Sequence, residues 1–203
     1  MTSKGGIALE EQSTNIFGRI WSFIKANLDM VSKLVANHIG MMVFGLIVII
    51  SCSMISSRHM DGGGSWLVYI VTGVAVLVYL CLLYTAMWEK GASDKVKIDG
   101  GRLKKKKLYG LWVWLIANSI NVILCLIVEI ISFANGDGGI LEIIVRYYNA
   151  MYLGLTNAID IPFIYIIIQL PGLITCTISY LLGVNGFRCI FPEPKGERNR
   201  KQR

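Results

Sequence analysis

The 203-residue chain is 54% hydrophobic and only 16% charged, with a net charge of +7 and a mean hydropathy of +0.57. Soluble domains carry about 25% charged residues, so the chain lacks the polar side chains to cover itself in water, and an integral membrane protein is the expected class. Its five cysteines and two histidines form no CxxC and no His–Cys grouping, which argues against a structural metal site.

From Ile16 to Val35 apolar residues recur every three or four positions (Ile16, Phe17, Ile20, Trp21, Ile24, Leu28, Val31, Val35), while Arg19, Lys25 and Lys33 fall elsewhere on the wheel. This predicts an amphipathic helix lying in the membrane interface, within a cytoplasmic N-terminal segment 1–34. Four runs then reach the roughly 20 residues that a spanning helix needs: about 35–56, 66–88, 108–133 and 161–184. Backbone groups in lipid must bond within their own segment, so the expected fold is all-α, a polytopic four-span bundle over 35–184. Trp66, Trp88, Tyr109, Trp112 and Trp114 stand near run ends, as an aromatic belt would. "IISC" at 49–52 resembles a lipobox, but its cysteine lies too far from the start for a signal peptide. The first run therefore reads as an uncleaved anchor.

Between the first two runs, "DGGGS" at 61–65 reads as a turn, as does "DGGR" at 99–102. The loop 89–107 carries eight basic residues against three acidic, and the tail 185–203 six against two. Lys and Arg collect on the cytoplasmic side, so this loop, the basic tail and the N-terminus are expected inside. The run Lys104, Lys105, Lys106 and Lys107 lacks the interleaved aromatics of a nucleic-acid site, and no nucleic-acid partner is expected. Those lysines are instead candidates for contact with anionic lipid headgroups, at about 1 kcal/mol each.

The third run holds a polar stripe, Trp114, Asn118, Asn121, Cys125 and Glu129, at spacings of three and four. The last run carries a second one through Tyr165, Gln169, Gly172, Cys176, Ser179 and Gly183. Small and polar residues in such stripes let helices approach and bond across the seam. Asn118, Asn121, Glu129 and Gln169 are therefore candidates for a polar seam, or for a pathway in which Glu129 titrates; packing is the preferred reading. Residues 140–155, with Glu142 and Arg146 at ion-pair spacing, read as an outer interfacial or re-entrant segment, because a fifth span would place Arg146 in mid-membrane. Asp160 followed by Pro162 reads as a helix start, and Pro171 as a kink.

No Ser/His/Asp or Cys/His set, no HExxH motif and no paired intramembrane carboxylates occur, so neither an enzyme nor a cofactor is expected. "YLLGVNGF", Tyr180 to Phe187, leading into a basic tail, resembles small multi-span proteins of Gram-positive bacteria. The resemblance implies a bacterial plasma membrane and no particular activity. The expected role is an accessory or scaffolding protein contacting other membrane proteins, a second copy, or anionic lipid. A transporter or channel subunit is the alternative, and an intramembrane enzyme the last.

Overall fold

The computed structural model describes residues 18, 21–58, 65–136, 138–159, 161 and 163–187, and every regular element among them is helical. Two long helices come first, α1 (Leu28–Arg58) and α2 (Ser65–Asp99). The third apolar run forms α3 (Tyr109–Ala117) and α4 (Ser119–Asn135). Next come α5 (Gly139–Tyr148), a 3-10 turn (Ala150–Tyr152) and α6 (Leu153–Ala158). The chain closes with α7 (Ile164–Ile167) and α8 (Leu170–Asn185). Three helical stretches are long and apolar enough to cross a membrane: Leu28–Cys52, Val68–Asp99 and Ile164–Asn185.

The apolar runs become helices because little in them competes with the backbone ladder. Hydroxyls that would need water return to a carbonyl one turn earlier: Ser51 to Ile47, Thr177 to Leu173 and Ser179 to Thr175. The outward faces of α1 and α2 stay apolar and uncovered, with Ile47, Ile50, Met54, Trp66, Ile70 and Leu77 all more than half exposed. A continuous apolar surface of this kind suits hydrocarbon and not water.

Three boundaries differ from the sequence reading. The amphipathic stretch 16–35 is not one helix: residues 21–26 are helical, Asn27 is a turn, and the remainder opens α1. Asn27 donates its side-chain amide to the Phe23 carbonyl and accepts from Tyr109 Oη at 2.6 Å, which holds the break; Ile16, Phe17, Arg19 and Ile20 lie outside the described residues. The second run does not end at 88, since α2 continues to Asp99 and takes in most of the charges assigned to a loop. It stops where Gly101, at φ +70°, closes the turn expected at 99–102, with the Arg102 amide on the Lys97 carbonyl.

The third boundary matters most. The run 108–133 is not a straight span but bends by 68° between α3 and α4. At 1.5 Å per residue α3 advances about 13 Å and the tilted α4 adds about 10 Å along the same axis. Measured end to end, however, the bent pair covers about 33 Å, so it reaches across the roughly 30 Å of a hydrocarbon core only where the membrane normal lies between the two helix axes. The last run is also discontinuous: α7 ends at Ile167 and α8 restarts with Pro171 in its first turn, where a missing N–H costs nothing.

The elements pack around α8. It runs alongside α2, where glycine sets the distance: a Cβ on Gly183 would strike the Trp88 carbonyl, and one on Gly91 the Tyr180 carbonyl. Against α3 it runs antiparallel, with Gly110 lying on the Cys176 carbonyl and Trp114 over Gly172. The last stripe is therefore shared between two neighbours, since Gly172 and Cys176 face α3 while Gly183 faces α2. The hairpin of α5, the 3-10 turn and α6 folds inward. Its tip, Asn149 to Tyr152, is fully buried, with Met151 on Gly45 of α1 and Gly154 on Thr72 of α2.

Gly183→Ala is expected to lower the unfolding midpoint in detergent, at an overpacking cost of about 1–3 kcal/mol. Gly73→Ala, where an added Cβ meets nothing within 4 Å, is expected to leave the midpoint unchanged or raise it slightly. Thermal melting of the two variants makes the comparison.

Candidate functional site

The site forms where the inward tip meets the two stripes. Asn149 follows α5, Asn121 lies in the first turn of α4, and Gln169 bridges α7 and α8. Asn121 and Asn149 exchange amide hydrogen bonds, each donating to the other's Oδ1 at 2.9 Å. Gln169 donates a third bond to Asn149 Oδ1, also at 2.9 Å. Asn149 Nδ2 also reaches the Val145 carbonyl, and Cys125 Sγ lies 3.5 Å from Asn121 Oδ1. All four side chains are buried. An unpaired amide in such a place costs the full desolvation penalty, so the set closes on itself.

The four seam candidates do not act together. Asn121 and Gln169 join the buried set. Asn118 sits at the bend and donates to the Trp114 carbonyl of its own helix at 3.2 Å. Glu129, 8% exposed, accepts the backbone N–H groups of Phe163 at 3.1 Å and Tyr165 at 2.9 Å. It thus caps α7 from another helix, satisfying donors that no intrahelical carbonyl can reach. Phe163, held at φ +64° in the left-handed region, is part of that turn. Asp160, the expected cap, lies outside the described residues.

Next to this cap is a second cluster. Arg146 donates to Glu142 at 2.7 and 3.0 Å and to Tyr165 Oη at 2.8 Å, and Tyr165 Oη donates to Glu142 at 3.1 Å. Burial alone would lower the Arg146 pKa, yet the bonds and charges of Tyr165 and Glu142 outweigh it and raise the group above its ordinary value. Arg146 is therefore paired within its own hairpin and with α7, its side chain 41% exposed. Deeper in, His38 of α1 contacts Tyr79 Oη at 3.3 Å and packs on the Tyr148 ring at 4.9 Å between centroids.

At the opposite end lies a cluster that the sequence reading missed. Asp94 is buried, accepting from Lys90 Nζ at 2.7 Å and from Tyr180 Oη at 3.2 Å. Lys90 in turn stands over the Tyr109 ring. The i,i+4 spacing of Lys90 and Asp94 is the available signal, hidden because the segment was taken for a loop. The lysine run beside it is exposed. Lys105 Nζ donates to Asn185 Oδ1 at 2.7 Å, tying the loop to the end of α8, and Lys106 lies 5.9 Å above the Phe23 ring.

Comparison with protein families, with curated protein sequences and with solved structures returned no match. Asn149→Ala is expected to leave Asn121 and Gln169 with only their weak contacts to Cys125 and to destabilise the bundle by about 1–3 kcal/mol. Adding Asn121→Ala to it should cost much less than the sum of the two single changes. A double-mutant cycle of unfolding midpoints in detergent measures that coupling.

Proposed function

We propose that this chain is an accessory or scaffolding membrane protein, working by contact with other membrane proteins or anionic lipid and not by conduction or catalysis. In this reading it is a bacterial plasma-membrane protein crossing four times, with the bent pair α3 and α4 as one crossing buttressed by the inward hairpin. Both termini and the lysine loop lie on the cytoplasmic side. The supporting observation is that the three mid-bundle amides are spent on one another, although Trp114 Nε1 and His38 Nε2 are buried without a partner among the described residues. Asn121, Asn149 and Gln169 bond in a closed set, and the cavity beside the hairpin tip is about 10 Å³, room for about one water. A conduit needs polar groups turned towards water.

A transporter or channel subunit is the second reading. What favours it is backbone discontinuity: a 68° break at mid-run, an inward hairpin with a polar tip, and Glu129 on the start of a broken helix. Such devices build substrate sites in carriers. An intramembrane enzyme comes third, with no residue set to argue for it.

Purified protein in liposomes is expected to pass neither protons nor small solutes, and a flux abolished by Glu129→Gln would replace the first reading with the second. Orientation is checked by impermeant thiol labelling on a cysteine-free background. A cysteine at Gly136 should label in intact cells and one at Lys104 should not; the reverse pattern would invert the topology.

A further inference from the structure

An open apolar groove lies beside the lysine run. Its walls are the helical stretch 21–26, through Phe23 and Ile24, and the outward face of α3, through Trp112, Leu115 and Ile116. Spacing explains why α3 offers this face: Tyr109, Gly110, Val113 and Trp114 are buried against the bundle, leaving Trp112 exposed and Leu115 and Ile116 half-buried beside it. The groove encloses about 810 Å³, within the range of about 300–1,000 Å³ common to ligand sites. Lys106 stands at its mouth, its ammonium 5.9 Å above the Phe23 ring.

Charge narrows the occupant. Among the described residues no acidic side chain lines the groove, and a shallower pocket at the same mouth adds Lys107 to Lys106. A neighbouring cleft of about 420 Å³ makes the contrast, since there Asp29 and Glu89 offset Lys33 and Lys90. An apolar trough ending in uncompensated lysines fits a molecule with a long hydrocarbon part and an anionic end.

We propose that this groove holds one acyl chain of an anionic glycerophospholipid of the cytoplasmic leaflet, with its phosphate at Lys106. The site rests on the membrane reading above and narrows its lipid contact from a diffuse basic loop to one lysine and one groove. Lys105 is drawn off to Asn185, while Lys106 lines the groove. Phe23 holds the mouth in place through its contact with Tyr109, 6.2 Å between ring centroids.

The test is native mass spectrometry of the full chain, purified in mild detergent and offered phosphatidylglycerol or phosphatidylcholine with identical chains. Phosphatidylglycerol should be retained in preference by about fivefold, the equivalent of about 1 kcal/mol for one lysine. Lys106→Gln should erase the preference, Lys106→Arg should keep it, and Ile116→Trp should cut retention of both lipids by filling the groove. Lys104→Gln should change nothing. Size exclusion confirms that each variant is folded, and Lys106→Gln against Lys104→Gln still decides the matter if Ile116→Trp is not. Equal retention of the two lipids overturns the site, as does equal loss with Lys104→Gln and Lys106→Gln. A dimer that Ile116→Trp dissociates would make the occupant a second copy and overturn it too. Release of the chain from membranes by alkaline wash would sink the membrane reading itself, whereas an integral chain without lipid preference sinks the groove alone.

Discussion

Backbone-to-backbone contact between α2 and α8 sets the frame on which the other elements are arranged. Gly183 lies against the Trp88 carbonyl and the backbone of Gly91 and Ala92, and Gly91 returns the contact to Tyr180 and Val184. In a bilayer, whose tails are as apolar as leucine, two such helices would gain little by hiding apolar surface from lipid. Close van der Waals approach is what remains to hold them, and it requires side chains no larger than hydrogen at the crossing. With α8 fixed against α2, its other face is committed to α3 through Gly110 and Gly172. The bend at Asn118 then tilts α4 and leaves a space that the inward hairpin fills.

Filling that space brings polar backbone and an asparagine into an apolar interior. Irregular backbone at such depth is tolerated only when it is enclosed by protein or lines water. Here it is enclosed, by Gly45 and Thr72 at the tip and by Asn121 and Gln169 around Asn149. Glu129 solves the matching problem at the start of α7, where free N–H groups would otherwise face apolar surroundings. In both places a polar residue compensates for a break in the backbone ladder, which is a structural use for groups that a transporter would turn towards substrate.

The basic end follows another logic. Asp94 is buried between Lys90 and Tyr180 and anchors the extension of α2 to α8, while Lys105 ties the loop to Asn185. These bonds take up part of the positive charge and leave Lys106 beside the apolar face of α3. The basic loop is thereby shaped, and its lysines are not equivalent.

The helical class and the positions of the first, second and last apolar runs were legible in the sequence, because run length and hydropathy are local properties. Spacing also placed Asn121, Cys125 and Gln169 on faces able to meet. Their main partner, Asn149, belongs to a segment that local charge marked as interfacial, and nothing near it in the chain announces Asn121, 28 residues away. Asn118 shares the same stripe by spacing, yet the helix turns there and its amide is used locally. Asp94 looked like one charge in a basic loop until α2 ran through it. Sequence alone determined what each stretch can be, since propensity, charge and apolar length act over a few residues. The tertiary structure decided the 68° bend, the burial of the 149–152 tip and the cap on α7, because each depends on a bond or a close contact between residues distant in the chain.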